Sequence, residues 1–86
     1  MKLTAEQKRL LLAISGGSFL KSHRYPDGEK LYQLHPLDGP AQAVDWGTVE
    51  ALTGQGLIDS NKKFPAATYW LTDKGRAAVA ALAEQA

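Results

Sequence analysis

The sequence predicts an α+β fold in the order helix–hairpin–helix–hairpin–helix, and three observations carry that expectation. Val49-Glu50-Ala51-Leu52 followed by Gly56 reads as a helix with a glycine stop. Leu57-Ile58-Asp59-Ser60 and Thr68-Tyr69-Trp70-Leu71 flank a basic loop, as the two arms of a hairpin would. Ser18 to Tyr25 and Lys30 to His35 flank Pro26-Asp27-Gly28-Glu29, whose proline, aspartate and glycine each favour a turn.

The first helix is expected at about 5–15. Thr4-Ala5-Glu6-Gln7 matches a capping box, in which the Thr4 hydroxyl accepts an early backbone N–H and Gln7 reaches back. Leu3, Gln7, Leu10, Leu11 and Ile14 follow helical spacing, and Lys8 and Arg9 fall on the wet side. Ser15-Gly16-Gly17 ends it.

In the first hairpin a four-residue turn sets Tyr25 opposite Lys30, His23 opposite Tyr32 and Lys21 opposite Leu34. Phe19, Lys21, His23, Tyr25, Tyr32 and Leu34 then share one face. Leu20, Ser22, Arg24, Leu31, Gln33 and His35 share the other. Pro36-Leu37-Asp38-Gly39-Pro40 is expected to be a loop.

Asp45 is a suitable N-cap for a second helix at about 46–55, with Val49 and Leu52 inward. Gly56 is then the capping glycine, with Leu57 meeting Leu52 across it. Asn61 to Ala67 forms the loop of the second hairpin. Thr72 caps the last helix, whose buried stripe is Val79, Leu82, Ala83 and Ala86.

Eighty-six residues at 44% hydrophobic make one small domain with a single modest core. So short a chain has little surplus stability, which makes a homodimer a candidate assembly. The absence of cysteine excludes disulfides, thiolate zinc sites and cysteine nucleophiles. The apolar run nearest the N-terminus, Leu10 to Ile14, is too short for a signal peptide or for the roughly 20 residues of a membrane span. A soluble, cytosolic protein without membrane contact is therefore expected.

The segment from Leu57-Ile58 through Tyr69-Trp70-Leu71-Thr72-Asp73-Lys74-Gly75-Arg76 resembles the wing of bacterial winged-helix regulators of the MarR and PadR types. Over the whole chain, Leu3-Thr4, Glu6-Gln7, Gly16-Gly17, Asp27-Gly28, the Val49 to Leu52 helix, Leu57-Ile58 and the Tyr69 strand resemble the YjhX-like family of bacterial toxins. The resemblance implies a winged-helix-like domain with a toxin-like or regulatory role. It lacks a complete helix-turn-helix, because a hairpin and the Pro36 to Pro40 loop stand where the preceding helix would be.

The charge map speaks against that fold's commonest task. The formal net charge is +1, whereas nucleic-acid-binding domains are usually more basic. No Lys or Arg occurs between Leu31 and Asn61, and Asp38, Asp45, Glu50 and Asp59 fall in that gap. A reading helix offering Trp46, Glu50 and Thr53 brings no cation to phosphate or guanine. The favoured function is thus a non-enzymatic regulatory or toxin-like module that binds a protein partner with a basic surface. Asp45, Trp46, Glu50 and Thr53 would form its contact surface, with Trp46 at least partly exposed as the apolar anchor.

The alternative is a regulator that binds duplex DNA through Lys62 and Lys63 of the wing and Lys21, Arg24 and Lys30 of the first hairpin. Tyr25 and Tyr32 beside those cations make base stacking conceivable, although packing tyrosines and edge lysines explain the same pattern more simply. Trp46 and Trp70 are likewise first read as partly core. His23 and His35, on opposite faces of the expected hairpin, do not converge, and a metal site wants three or more ligands. No acid pair, serine or glycine run has a catalytic or phosphate-loop context, so no catalytic residue, cofactor or metal is expected.

Overall fold

The computed structural model describes residues 3–63 and 66–84. Its elements are α1 (Ala5–Ser15), β1 (Phe19–Arg24), β2 (Lys30–His35), β3 (Gln42–Val44), α2 (Trp46–Gly54), β4 (Ile58–Ser60), β5 (Ala66–Leu71) and α3 (Asp73–Glu84). The fold is mixed α+β: three helices and one five-stranded antiparallel sheet of order β3-β2-β1-β5-β4.

Local chemistry sets the helix ends. Gln7 N–H donates to Thr4 Oγ1 at 3.1 Å, and Thr4 N–H donates to Gln7 Oε1 at 3.0 Å, which completes the capping box of α1. At its other end Gly17 N–H reaches Ile14 O and Ser18 N–H reaches Ala13 O. The Asp45 carboxylate accepts Thr48 N–H at 3.1 Å and caps α2. Gly56, at φ 76°, donates to Thr53 O, and Leu57 N–H donates to Leu52 O. That bond pair is the Schellman stop expected there. Thr72 Oγ1 accepts Gly75 N–H at 3.0 Å and starts α3.

The two hairpins are not separate units. β5 runs along β1, pairing Leu20 with Tyr69 and Ser22 with Ala67. This pairing extends β5 back to Ala66, so Ala66 and Ala67 are strand and not loop. A third strand also joins the first hairpin: β3 pairs Val44 with Tyr32 and Gln42 with Leu34. It follows the Pro36 to Pro40 loop and was not legible as a strand.

The register of the first hairpin differs from expectation by one residue. Arg24 pairs with Lys30, Ser22 with Tyr32 and Leu20 with Leu34. Tyr25 N–H bonds Glu29 O at 2.8 Å and Gly28 N–H bonds Tyr25 O at 2.9 Å, so the loop proper is only Pro26-Asp27-Gly28. Gly28 at φ 92° supplies the left-handed residue that a three-residue hairpin needs. Shortening the turn by one residue moves Tyr32 and Leu34 to the face of Leu20, Ser22 and Arg24.

That face carries the core. Leu20, Tyr32, Ile58, Ala67, Tyr69 and Leu71 meet Leu10 and Leu11 of α1 and Val49 and Leu52 of α2, with Leu57 between α2 and β4. In α3 only Gly75 is fully buried. Ala78, Val79 and Leu82 are half-buried, and Ala83 is exposed, which corrects the expected stripe; Ala86 lies outside the described residues. The helix comes closest at its first turn, where a side chain at Gly75 would run into the Leu57 carbonyl, and Ala78 and Val79 pack against the core one turn on. All three helices cover one face of the sheet. On the other, Phe19, Lys21, His23, Leu31, Gln33 and Trp70 are exposed. No described helix is long and apolar enough to cross a membrane.

Candidate nucleic-acid interface

The tip of the first hairpin and the β4–β5 loop lie at the same end of the sheet, because His23 pairs with Ala66. Alternation sends Arg24 and Lys30 to the helix-covered face, just beyond the buried Ser22 and Tyr32. The β4–β5 loop returns along β1 and brings Lys62 and Lys63 to that same edge. Arg24, Lys30, Lys62 and Lys63 therefore line one open groove of about 340 Å3, with Thr53 of α2 on its far side and Ser22, Ala67 and Tyr69 among its floor residues.

Asn61 organises the loop. Its Oδ1 accepts Lys63 N–H at 3.2 Å and Thr68 N–H at 3.3 Å, and its own N–H donates to Thr68 O. Lys62 N–H donates to Ser60 Oγ at 3.3 Å, and Lys62 sits at φ 55°, an uncommon conformation for a residue with a side chain. Phe64 and Pro65, also in this loop, lie outside the described residues. Arg24 Nη1 donates to Gly28 O at 3.4 Å, and Lys30 Nζ stands 5.2 Å from the Tyr32 ring centroid. One carboxylate residue, Asp59, also lines the groove, and its Oδ1 accepts Ser60 N–H.

Four of the five sequence-predicted cations thus converge, although they are up to 39 positions apart (Arg24 to Lys63). Lys21 does not join them. It pairs with Gln33 and Thr68 on the opposite face. Tyr32 is buried, at 3% exposure, and cannot offer its ring to a base. Burial and its neighbours Tyr69 and Glu50 push its phenol well above the ordinary tyrosine range. Sequence reasoning missed Asn61; its position in a polar tight turn was the available signal.

The acidic set on α2 is distributed differently. Trp46 is 65% exposed, more open than a partly core residue, and Trp70 is 45% exposed. Asp45 is committed to the helix cap. Glu50 is not simply solvated: it accepts the Tyr32 hydroxyl at 3.3 Å. The Thr53 hydroxyl donates to Val49 O at 2.8 Å and lies beside the basic groove. His23 and His35, expected on opposite faces, share the open face, since His23 pairs with Leu31 and His35 with Phe19. Four residues of strand hold them about 13 Å apart. No metal-holding group of three His, Cys, Asp or Glu occurs among the described residues.

Set against known proteins, the chain matches no family model, no curated protein and no solved structure.

Proposed function

We propose that this protein is a small non-enzymatic regulatory or toxin-like module that binds duplex DNA, seating phosphates in the groove between the first hairpin, the β4–β5 loop and α2. The supporting observation is the convergence of Arg24, Lys30, Lys62 and Lys63 on one groove. Clustered cations release counterions from the phosphate backbone, the largest sequence-independent source of DNA affinity. In this reading the arrangement is winged-helix-like, the β4–β5 loop being the wing, and contact comes from wing and hairpin while the cation-free α2 flanks the groove. The likeness to the YjhX-like family belongs to the same proposal. Titration of random duplex DNA against salt tests it. Wild type should bind at low salt with a steep salt dependence, and Lys62→Glu with Lys63→Glu should weaken binding and flatten the slope. Wild type that gives no complex at low salt, where attraction is strongest, ends this reading.

A second reading is favoured by one observation, the 65% exposure of Trp46 at the start of α2. There the partner is a protein with a basic surface, met by Trp46 with Asp45, Glu50 and Thr53 around it. A partner that wild type binds, Trp46→Ala loses and Lys62→Glu with Lys63→Glu retains would support it. A partner retained by Trp46→Ala and lost with the lysines would reject it.

A further inference from the structure

The floor of the basic groove holds an uncommitted donor. Ser22, on β1 between its partners Tyr32 and Ala67, is 3% exposed. Its hydroxyl makes no hydrogen bond among the described residues, where no buried side-chain polar atom is left unpartnered, so the hydroxyl opens onto the groove. The Ser60 and Thr53 hydroxyls beside it are engaged: Ser60 Oγ accepts Lys62 N–H, and Thr53 Oγ1 donates to Val49 O. Arg24, Lys30, Lys62 and Lys63 stand around this floor against one described carboxylate, Asp59. At about 340 Å3 the hollow has the size of a small ligand pocket, for which about 300–1,000 Å3 is usual. The other described cations, Lys8, Arg9, Lys21, Lys74 and Arg76, line no part of it, so no track of charge leads on from it.

We propose that this groove is a phosphate monoester site that takes the terminal phosphate of a DNA strand, with Ser22 donating to its innermost oxygen; the proposal rests on the duplex reading and narrows it from interior backbone to ends. Charge favours an end. An interior phosphodiester carries one negative charge, whereas a monoester carries about −1.5 to −2 at neutral pH and offers three strong acceptor oxygens. Four cations against one carboxylate exceed what a single diester neutralises and match the dianion. Depth favours an end as well. A backbone that continues on both sides passes over the mouth of a small hollow, but a terminal group can enter it and reach a hydroxyl on a residue as buried as Ser22. A hydroxyl donating to an ionised oxygen makes a charge-assisted bond, stronger than one between neutral groups.

The test compares one short blunt duplex in three forms, with 5′-phosphate, 3′-phosphate or only hydroxyl ends, by fluorescence anisotropy. Wild type should bind one of the phosphorylated forms about tenfold more tightly than the hydroxyl form, and which one it prefers tells the two ends apart. Ser22→Ala should abolish most of that preference and leave affinity for the hydroxyl form unchanged. Equal affinity for all three forms, with a steep salt dependence, overturns this proposal and leaves the duplex reading standing. A full preference in Ser22→Ala overturns the role of the groove floor. A nucleoside 5′-monophosphate that binds as tightly as the phosphorylated duplex assigns the site to small phosphate esters and overturns the DNA end. No complex with any of the three at low salt overturns both readings.

Discussion

The hydroxyl of Tyr32 on β2 donates to Glu50 Oε1 on α2 across 3.3 Å, tying the sheet to the helix that flanks the basic groove. Glu50 is exposed and Tyr32 is buried, so the two ends of this bond have different stakes. Removing the acceptor leaves the phenolic hydroxyl of a buried side chain without its bond to α2.

Glu50→Ala is therefore expected to destabilise the fold by about 1 kcal/mol, and Tyr32→Phe with Glu50→Ala by no more than Tyr32→Phe alone. Urea unfolding midpoints of the three variants check this. An additive double mutant would mean that the bond contributes nothing. The same bond makes Asp45→Lys with Glu50→Lys a poor probe of surface charge, since it removes a helix cap and the Tyr32 acceptor together.

Alkaline pH should expose the same residue. Burial first, then Tyr69 and the Glu50 carboxylate, raise the Tyr32 phenol above its unfolded value of about 10. Below that value the phenol is protonated in both states and its contribution is fully present. Above it, the unfolded chain releases a proton that the folded chain keeps, so stability falls as pH rises. Urea midpoints measured upward from about pH 10 should drop less steeply in Tyr32→Phe than in wild type. Parallel curves would place the alkaline loss elsewhere.

Two glycines should fail for different reasons. At Gly56 a Cβ meets little, but φ is 76°, so Gly56→Val should lose at least about 1 kcal/mol through backbone strain. Asparagine, which tolerates that conformation, should cost less. At Gly75 the obstacle is the Leu57 carbonyl, a backbone atom that cannot swing away and that already accepts Thr72 N–H at 3.1 Å. Gly75→Ala should lose about 1–3 kcal/mol, as overpacking does. Thermal midpoints of the three variants decide the matter, and an unchanged Gly75→Ala would mean that α3 can shift freely.

Asn61→Ala separates the placement of the β4–β5 loop lysines from their charge. It removes the acceptor shared by Lys63 N–H and Thr68 N–H while leaving all four groove cations in the chain. On the proposed duplex reading, affinity should fall about fivefold, one hydrogen bond's worth, with the salt slope nearly unchanged. A flattened slope would show that cations had left the interface altogether.

The residues that end the helices could be read without a structure. Thr4, Asp45 and Thr72 each bond a backbone N–H three positions on, and Gly56 closes α2 through carbonyls within five positions. Such interactions are complete within a short stretch of chain, so sequence alone determined them, and with them the existence of three helices and of paired strands on either side of α2. The turn at Pro26-Asp27-Gly28-Glu29 was legible as a turn, but not its length. Both faces of β1 and β2 mix apolar and polar residues, so alternation could not show that Tyr32 faces inward and His23 outward.

What remained was decided by contacts between distant segments. β3 is three residues long and exists through its pairing with Tyr32, Gln33 and Leu34. Lys21 parts from Arg24 because strand parity, set by the register, sends them to opposite faces. Lys62 and Lys63 meet Arg24 and Lys30 only because β5 docks on β1, a pairing across more than 40 residues of chain. Phe19 and Trp70 share an exposed face for the same reason. Local hydrogen bonds are specified by neighbours in the chain. A charged groove and a shared face of exposed rings depend on which strand lies next to which, and that is settled only when one side of the sheet is buried under the helices.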